Sequence, residues 1–452
     1  MALDSDSVIP YNTRQYTINY YNHLLKMRIR IENLGPVKKI DLDMSSRFMI
    51  FTGLNGTGKT YVSYVIFCIS AFFFCDKDII GLGKILKAPS QKKTLDIDYK
   101  ALYDILIHHI VNVNKMLPFI FNVDPSDNLV CNAKVSLLTS REEFKTFIYV
   151  SEFNIKVTGS FELLKKENSD KMTIKFFKTD EKNVVFYNLI ILKCLIFNGV
   201  IEDIETSDRG GMFTFNKELS QIVKENNDVG INHKKYKFPL PITNMLKELS
   251  NMRKRFFQDS NYGYLADKIE KDILKGHLEL KKEDEVWYSS NMMKNEIPLS
   301  LSSSGVRTIC SIVLFLRHTA MDCNIIIIDE PEINLHPKNQ ILLTRVFSLI
   351  VNAGIKLIIN THSDYIVREI NNMIMLSSIK DNEKIKGLGY SKDEVLTVDT
   401  VRPYYFEIQK NGKGVVGKEL EVTKTGFSVD LIDKVINDQV ATSQRIYEAI
   451  EG

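Results

Sequence analysis

The sequence has no paired cysteines. Its six cysteines, Cys68, Cys75, Cys131, Cys194, Cys310 and Cys323, are scattered, mostly inside apolar runs, with no CxxC and no histidine at metal-ligand spacing. This argues against a disulfide framework or a structural zinc site, and buried thiols in a reducing cytoplasm are expected. Charge of one sign is equally scarce, since 59 Lys and Arg face 56 Asp and Glu for a net +3. No generally basic surface follows, so a nucleic-acid contact would have to be a local patch. No secretory leader is expected, because Asp4, Asp6, Asn12 and Arg14 interrupt every apolar run near the start. The longest apolar stretch beside a helix, Val62 to Phe74, is too short for a bilayer. A cytoplasmic protein without a membrane partner is expected. No a/d heptad persists over three turns, and there is no repeat or low-complexity tract.

What is present is an alternation of strands and helices. Met27 to Ile31 and Val37 to Met44 alternate apolar with polar around the turn Asn33-Leu-Gly-Pro36, which predicts a hairpin. Phe48 to Thr52 predicts a buried strand. Residues 1–26 precede this start as an extension, either a short arm or a stretch upstream of a beginning at Met27. The first segment of the core covers 27–84, and residues 85–298 read as an inserted lobe, a β-rich arm (Phe147 to Val157, Met172 to Phe177) followed by helices such as Val184 to Phe197. The second core segment covers 299–400: a helix from Ser302–Gly305 to about Arg317, a strand Asn324 to Ile328 and another Ile355 to Asn360. Residues 401–452 offer a hairpin around Lys410–Lys413 and a helix Asp430 to Ile450. The fold class is therefore α/β with a mostly parallel sheet.

Four motifs carry chemistry. Gly53-Leu-Asn-Gly-Thr-Gly-Lys-Thr60 lies between strand and helix, so its amides can surround a phosphate at a helix N-terminus. Gly53, Asn55, Gly56, Thr57 and Gly58 form the loop, Lys59 is the phosphate-bridging cation, and Thr60 offers a hydroxyl to Mg²⁺. Ile325-Ile-Ile-Ile-Asp329-Glu330-Pro331 ends a buried strand in two carboxylates. Asp329 suits the Mg²⁺ shell, and Glu330 suits the polarising of a water. Thr361-His362-Ser363 ends the next core strand, which places His362 toward the γ-phosphate. Ser302-Ser303-Ser304-Gly305-Val306 joins small residues to a helix start, where amides can approach a phosphate. ATP and Mg²⁺ are the expected ligands. His336, in Asn334-Leu-His-Pro337, reads either as a loop residue at a dimer interface or as a turn residue.

Ser302–Val306 resembles the Leu-Ser-Gly-Gly-Gln signature of ABC ATPases: Ser303 stands at the serine, Ser304 and Gly305 at the two glycines, and Val306 replaces the Gln. Lys59, Ser303, Asp329 and His362, in that order, with Glu330–Pro337, Thr361–Tyr365 and Pro239–Ile242, resemble the RecF-like and overcoming-lysogenization-defect branch. The resemblance implies an ABC-type ATPase head that forms a homodimer or higher homo-oligomer around ATP and Mg²⁺. Many members of that branch are ATPases of antiphage systems such as PARIS, Septu and retrons, working with a separate effector. This implies a sensor or scaffold controlling a nuclease or toxin; a RecF-like repair ATPase is the alternative. A nuclease within the chain is not expected, because no Asp-x-Asp follows His362. None of the four motifs falls within 85–298, which assigns that lobe to a partner rather than to ATP.

Overall fold

The computed structural model describes residues 16–21, 27–71, 94–150, 152–157, 161–176, 200–215, 238–249, 252, 259–281, 285–292, 295–321, 324–410 and 412–451. The expected helix Val184 to Phe197 lies outside them, as do Cys75, Cys194 and Cys323. Strands β1 (Tyr16–Tyr21), β2 (Arg28–Leu34), β3 (Val37–Asp43) and β4 (Phe48–Gly53) precede helix α1 (Lys59–Ala71). Next come β5 (Thr94–Asp98), α2 (Tyr99–Phe121), β6 (Lys134–Leu137), α3 (Arg141–Val150), β7 (Glu152–Val157), β8 (Phe161–Lys165) and β9 (Lys171–Phe176). After β10 (Val200–Glu205) follow α4 (Arg209–Thr214), α5 (Leu240–Leu249), α6 (Gly263–Ile269), β11 (Gly276–Leu280), β12 (Val286–Ser290) and β13 (Ile297–Pro298). The last third holds α7 (Ser304–Leu314), β14 (Asn324–Asp329), α8 (Pro337–Asn352), β15 (Lys356–Thr361), α9 (Asp364–Met375), α10 (Asn382–Gly387), β16 (Val401–Ile408), β17 (Val415–Glu419) and α11 (Asp430–Glu451).

One nine-stranded sheet, ordered β10-β14-β15-β4-β16-β17-β3-β2-β6, organises these elements. Its first five strands are parallel, and β2 pairs antiparallel with both β3 and β6. The run Ile325–Ile328 is continuous because the sheet is covered on both sides. Ile325 and Ile327 join a core with Phe51, Val65 and Tyr404, while Ile326 and Ile328 join another with Phe48, Ile309 and Phe347. Between Asn324 at its start and Asp329 at its end β14 carries only isoleucines buried on both faces, so the strand presents its carboxylate at its C-terminal end.

The segment 85–298 does not stand apart as an arm followed by helices. β6 and β10 lie at the two edges of the nine-stranded sheet, and the long helix α2 precedes most of the strands. β5, β7, β8 and β9 form an antiparallel five-stranded sheet with β1, so the N-terminal segment adds its outer strand, and β11, β12 and β13 form a separate three-stranded sheet. Phe147–Val150, expected as strand, is helical. The Ser140 amide bonds Glu143 Oε2 at 2.7 Å and the Glu143 amide bonds Ser140 Oγ at 3.2 Å, a capping box that starts α3 and sets Phe144 and Ile148 into the core. Cys68 and Cys310 are buried, with their thiol pKa values pushed up by burial, but Cys131 is exposed because it sits on the polar turn after α2. Among the described residues no helix is long and apolar enough to cross a membrane.

Candidate ATP site

The C-terminal ends of β4, β15 and β14 lie side by side, with Thr52 opposite Thr361 and Asn360 opposite Asp329. The strand carrying His362 thus separates the phosphate-loop strand from the carboxylate strand. Gly53–Thr60 turns from β4 into α1, and the turn uses positive φ at Gly53, Gly56 and Gly58. Gly58 has a second constraint, since a Cβ there would lie 2.6 Å from Val37 Cγ2. The loop is braced by the Thr57 hydroxyl, which donates to the Leu54 carbonyl at 2.8 Å.

Lys59 is 5% exposed, and its ammonium donates to the carbonyls of Gly53 and Leu54 at 3.2 and 2.9 Å. Burial lowers its pKa to about 8 against the opposing pull of Asp329, Glu330 and Glu332. A lysine depressed in this way is charged below pH 8 and loses its proton above it. An anionic phosphate binds the charged form, so ATP affinity should weaken by roughly tenfold per pH unit above that point. Titration with a fluorescent ATP analogue checks this, and an affinity flat across the alkaline range would remove Lys59 as the phosphate cation.

Thr60 Oγ donates to Asp329 Oδ2 at 3.0 Å, and Asn360 Nδ2 donates to Asp329 Oδ1 at 2.7 Å. Ser63 Oγ in turn holds Asn360 Oδ1 at 2.9 Å. Asp329 is 4% exposed; burial raises its pKa, and the bonds from Asn360 and Thr60 oppose that rise. A hydroxyl and a carboxylate side by side are hard oxygen donors suited to Mg²⁺, which takes few protein ligands and completes its shell with phosphate and water. The residues present fit that ion.

Glu330 adopts φ +48°, left-handed for a residue with a Cβ, at a cost of about 1–2 kcal/mol. Its amide bonds the Asn360 carbonyl at 2.9 Å and its carbonyl accepts from Arg209 Nη2 at 3.1 Å, so the turn is held from both sides. The half-buried His362 feels both the Gly53 backbone and the Lys59 charge. Burial first, then the Lys59 charge, keep it below its ordinary pKa and therefore neutral at pH 7. Glu332 Oε1 accepts from the His362 amide at 2.6 Å and fixes the backbone there.

Ser303 caps α7, its hydroxyl accepting from the Val306 amide at 3.3 Å, and Ser303 and Ser304 are exposed. Val306 is buried in the core, which accounts for an apolar residue at that position. Gly305 lies against the Asn334 carbonyl. Among the described residues no hydrogen bond joins Ser303–Gly305 to Gly53–Thr60. His336 caps α8, Nδ1 accepting from the Lys338 amide at 3.2 Å, and so occupies a turn.

The tertiary structure also adds Asn360, Glu332 and Arg209 to the site. Glu332 had a legible signal, as the next acid after Asp329-Glu330. Asn360 had a weaker one, as a polar residue ending an apolar strand. Arg209 had none, because its partner Asp329 is 120 positions away.

No curated protein matches the chain in sequence. Among solved structures, similar chains include an Smc head bound to the C-terminal winged-helix domain of ScpA, with 11% identity, TM-score 0.36 and coverage of 88% of this chain and 98% of that one. The SMC head domain from Thermotoga maritima gives 10%, 0.33, 88% and 99%. A Pyrococcus furiosus Smc head with an extended coiled coil gives 11%, 0.35, 96% and 100%. At scores this low the likeness supports no statement about this chain. The sequence profile described as an AAA ATPase domain, however, matches residues 27–367, from the first core hairpin through His362. With the phosphate loop, the strand-end carboxylates and the strand-end histidine gathered at one sheet edge, the chain belongs to the AAA ATPase domain family.

Proposed function

We propose that the chain hydrolyses Mg²⁺–ATP at sites shared between two copies in the ABC manner, and that the cycle governs a separate effector in antiphage defence. The observation that carries the shared site is the N-terminus of α7. Ser303 and Ser304 are exposed there, with no bond to the chain's own phosphate loop, while the other motifs lie within reach of one another. Bound Mg²⁺ would neutralise developing phosphate charge. In this reading Thr60 and Asp329 hold the ion and Lys59 holds the phosphates. Glu330 takes the proton of the attacking water, and neutral His362 donates toward the γ-phosphate. Ser303, Ser304 and Gly305 of the second copy present a hydroxyl and amides to the same phosphate. The mass of Glu330→Gln in solution tests the pairing: a dimer is expected with Mg²⁺–ATP and a smaller species with ADP. A single mass in both states would count against it.

The antiphage setting is supported by the resemblance of Glu330–Pro337 and Thr361–Tyr365 to that branch of ATPases. A small nuclease, toxin or reverse-transcriptase gene beside this one, whose product co-purifies with the chain, is the expected finding. Recombination genes in that place would favour the RecF-like alternative.

A further inference from the structure

Arg209 is fully buried, 0% exposed, and all of its assigned hydrogen bonds go to main-chain carbonyls. Nε donates to Thr308 O at 3.0 Å, Nη1 to Thr206 O at 3.0 Å and Asp329 O at 2.6 Å, and Nη2 to Glu330 O at 3.1 Å. These four carbonyls belong to three separate segments: the end of β10, the first turns of α7 and the end of β14. A planar guanidinium can hold them together because its donors form a rigid fork, whereas an ammonium has three donors around one point.

The same junction is locked by packing. A Cβ on Gly210 would lie 3.3 Å from Thr308 Oγ1, so α4 seats directly on α7. Asn334 Nδ2 donates to Thr308 Oγ1 at 3.3 Å, which ties the loop after Glu330 to the same turn of α7. Burial works against the Arg209 charge, while Glu205, Asp329, Glu332 and Glu330 favour it. A buried cation whose hydrogen bonds end on carbonyls is an expensive way to fill a core. Here its contacts fall where backbone position sets the aim of a carboxylate.

We infer that Arg209 is a positioning residue for hydrolysis: its guanidinium fastens the left-handed turn at Glu330 to the signature helix α7, so that the water-polarising carboxylate is aimed only when that helix is seated. Engagement of the α7 N-terminus by a phosphate on the second copy would then register at Glu330 through one side chain. Segment 85–298, expected to serve a partner alone, thus supplies a residue to the ATP site. The inference rests on the reading of Asp329 and Glu330 given above.

The test uses the full chain with Mg²⁺–ATP, measuring phosphate release together with affinity for a fluorescent ATP analogue. Arg209→Lys keeps the charge and loses the fork. It should lower kcat by on the order of a hundredfold, the usual scale for a small misplacement in an active site, with KM and nucleotide affinity close to wild type. Gly210→Val leaves Arg209 in place but wedges α4 from α7, and should show the same split between kcat and KM. A Glu330→Gln control separates the two failures. If Glu330→Gln is inactive while both Arg209→Lys and Gly210→Val keep the wild-type kcat, the positioning role is overturned and the site reading stands. If Glu330→Gln itself turns over normally, the site reading falls first. Parallel loss of affinity, kcat and thermal stability in both variants would reduce Arg209 to a structural residue and would also overturn the inference.

Discussion

Glu330→Gln should bind Mg²⁺–ATP as wild type does and turn it over about 10²–10⁴ times more slowly, the range spanned by loss of a positioned general base. The amide preserves the size of the side chain and leaves the main-chain bonds at Glu330, to Asn360 and Arg209, untouched. What disappears is the carboxylate's charge, and with it the capacity to accept a proton. Lys59→Ala should fail earlier in the cycle. Its ammonium is the buried cation of the loop, and a charge-assisted bond to phosphate is worth about 1.5–3 kcal/mol, which is roughly ten- to a hundredfold in affinity. The pair therefore separates binding from chemistry. Phosphate release and nucleotide titration read both, and equal turnover in Glu330→Gln and wild type would remove Glu330 from its role.

Mixing two inactive variants should restore activity. Ser303→Arg leaves Lys59 in place and blocks the α7 N-terminus, so it should bind ATP and fail to hydrolyse it; each such donor is worth on the order of 10²–10³ in rate. Loss of the Ser303 cap costs about 1 kcal/mol, which a helix whose body from Thr308 to Leu314 is buried should withstand. Lys59→Ala is inactive for the opposite reason. In a heterodimer one shared site carries both lesions and the other carries neither. With random exchange half the dimers are mixed, so the mixture should recover about a quarter of the wild-type turnover. A mixture as inactive as its components, with exchange of protomers verified by mass, would show that each chain completes its own site.

The amino-acid sequence by itself determined the elements that are built locally. A buried strand running into Gly53–Thr60 and then a helix is legible because loop, cap and apolar runs are contiguous. The same holds for Asp329 and Glu330 after four isoleucines and for Ser303 opening α7. Apolar runs of that length form sheet strands covered on both faces, so the first polar residue after each one falls at the strand's end. The capping box Ser140–Glu143 was equally local, and it outweighs the alternating pattern that suggested a strand starting at Phe147.

Only the tertiary structure decided what depends on contacts between distant segments. The order β14-β15-β4 places His362 between the phosphate loop and the carboxylates, and strand order leaves no periodic mark in a sequence. The two strands from 85–298 enter the central sheet by edge pairing, which backbone groups satisfy whatever their side chains are. Asn360 and Arg209 act on Asp329 and Glu330 from 31 and about 120 positions away. The Arg209 bonds require only that the folded chain bring a donor to a main-chain carbonyl, which is the same group in every residue, and the Asn360 bond only that β15 lie beside β14.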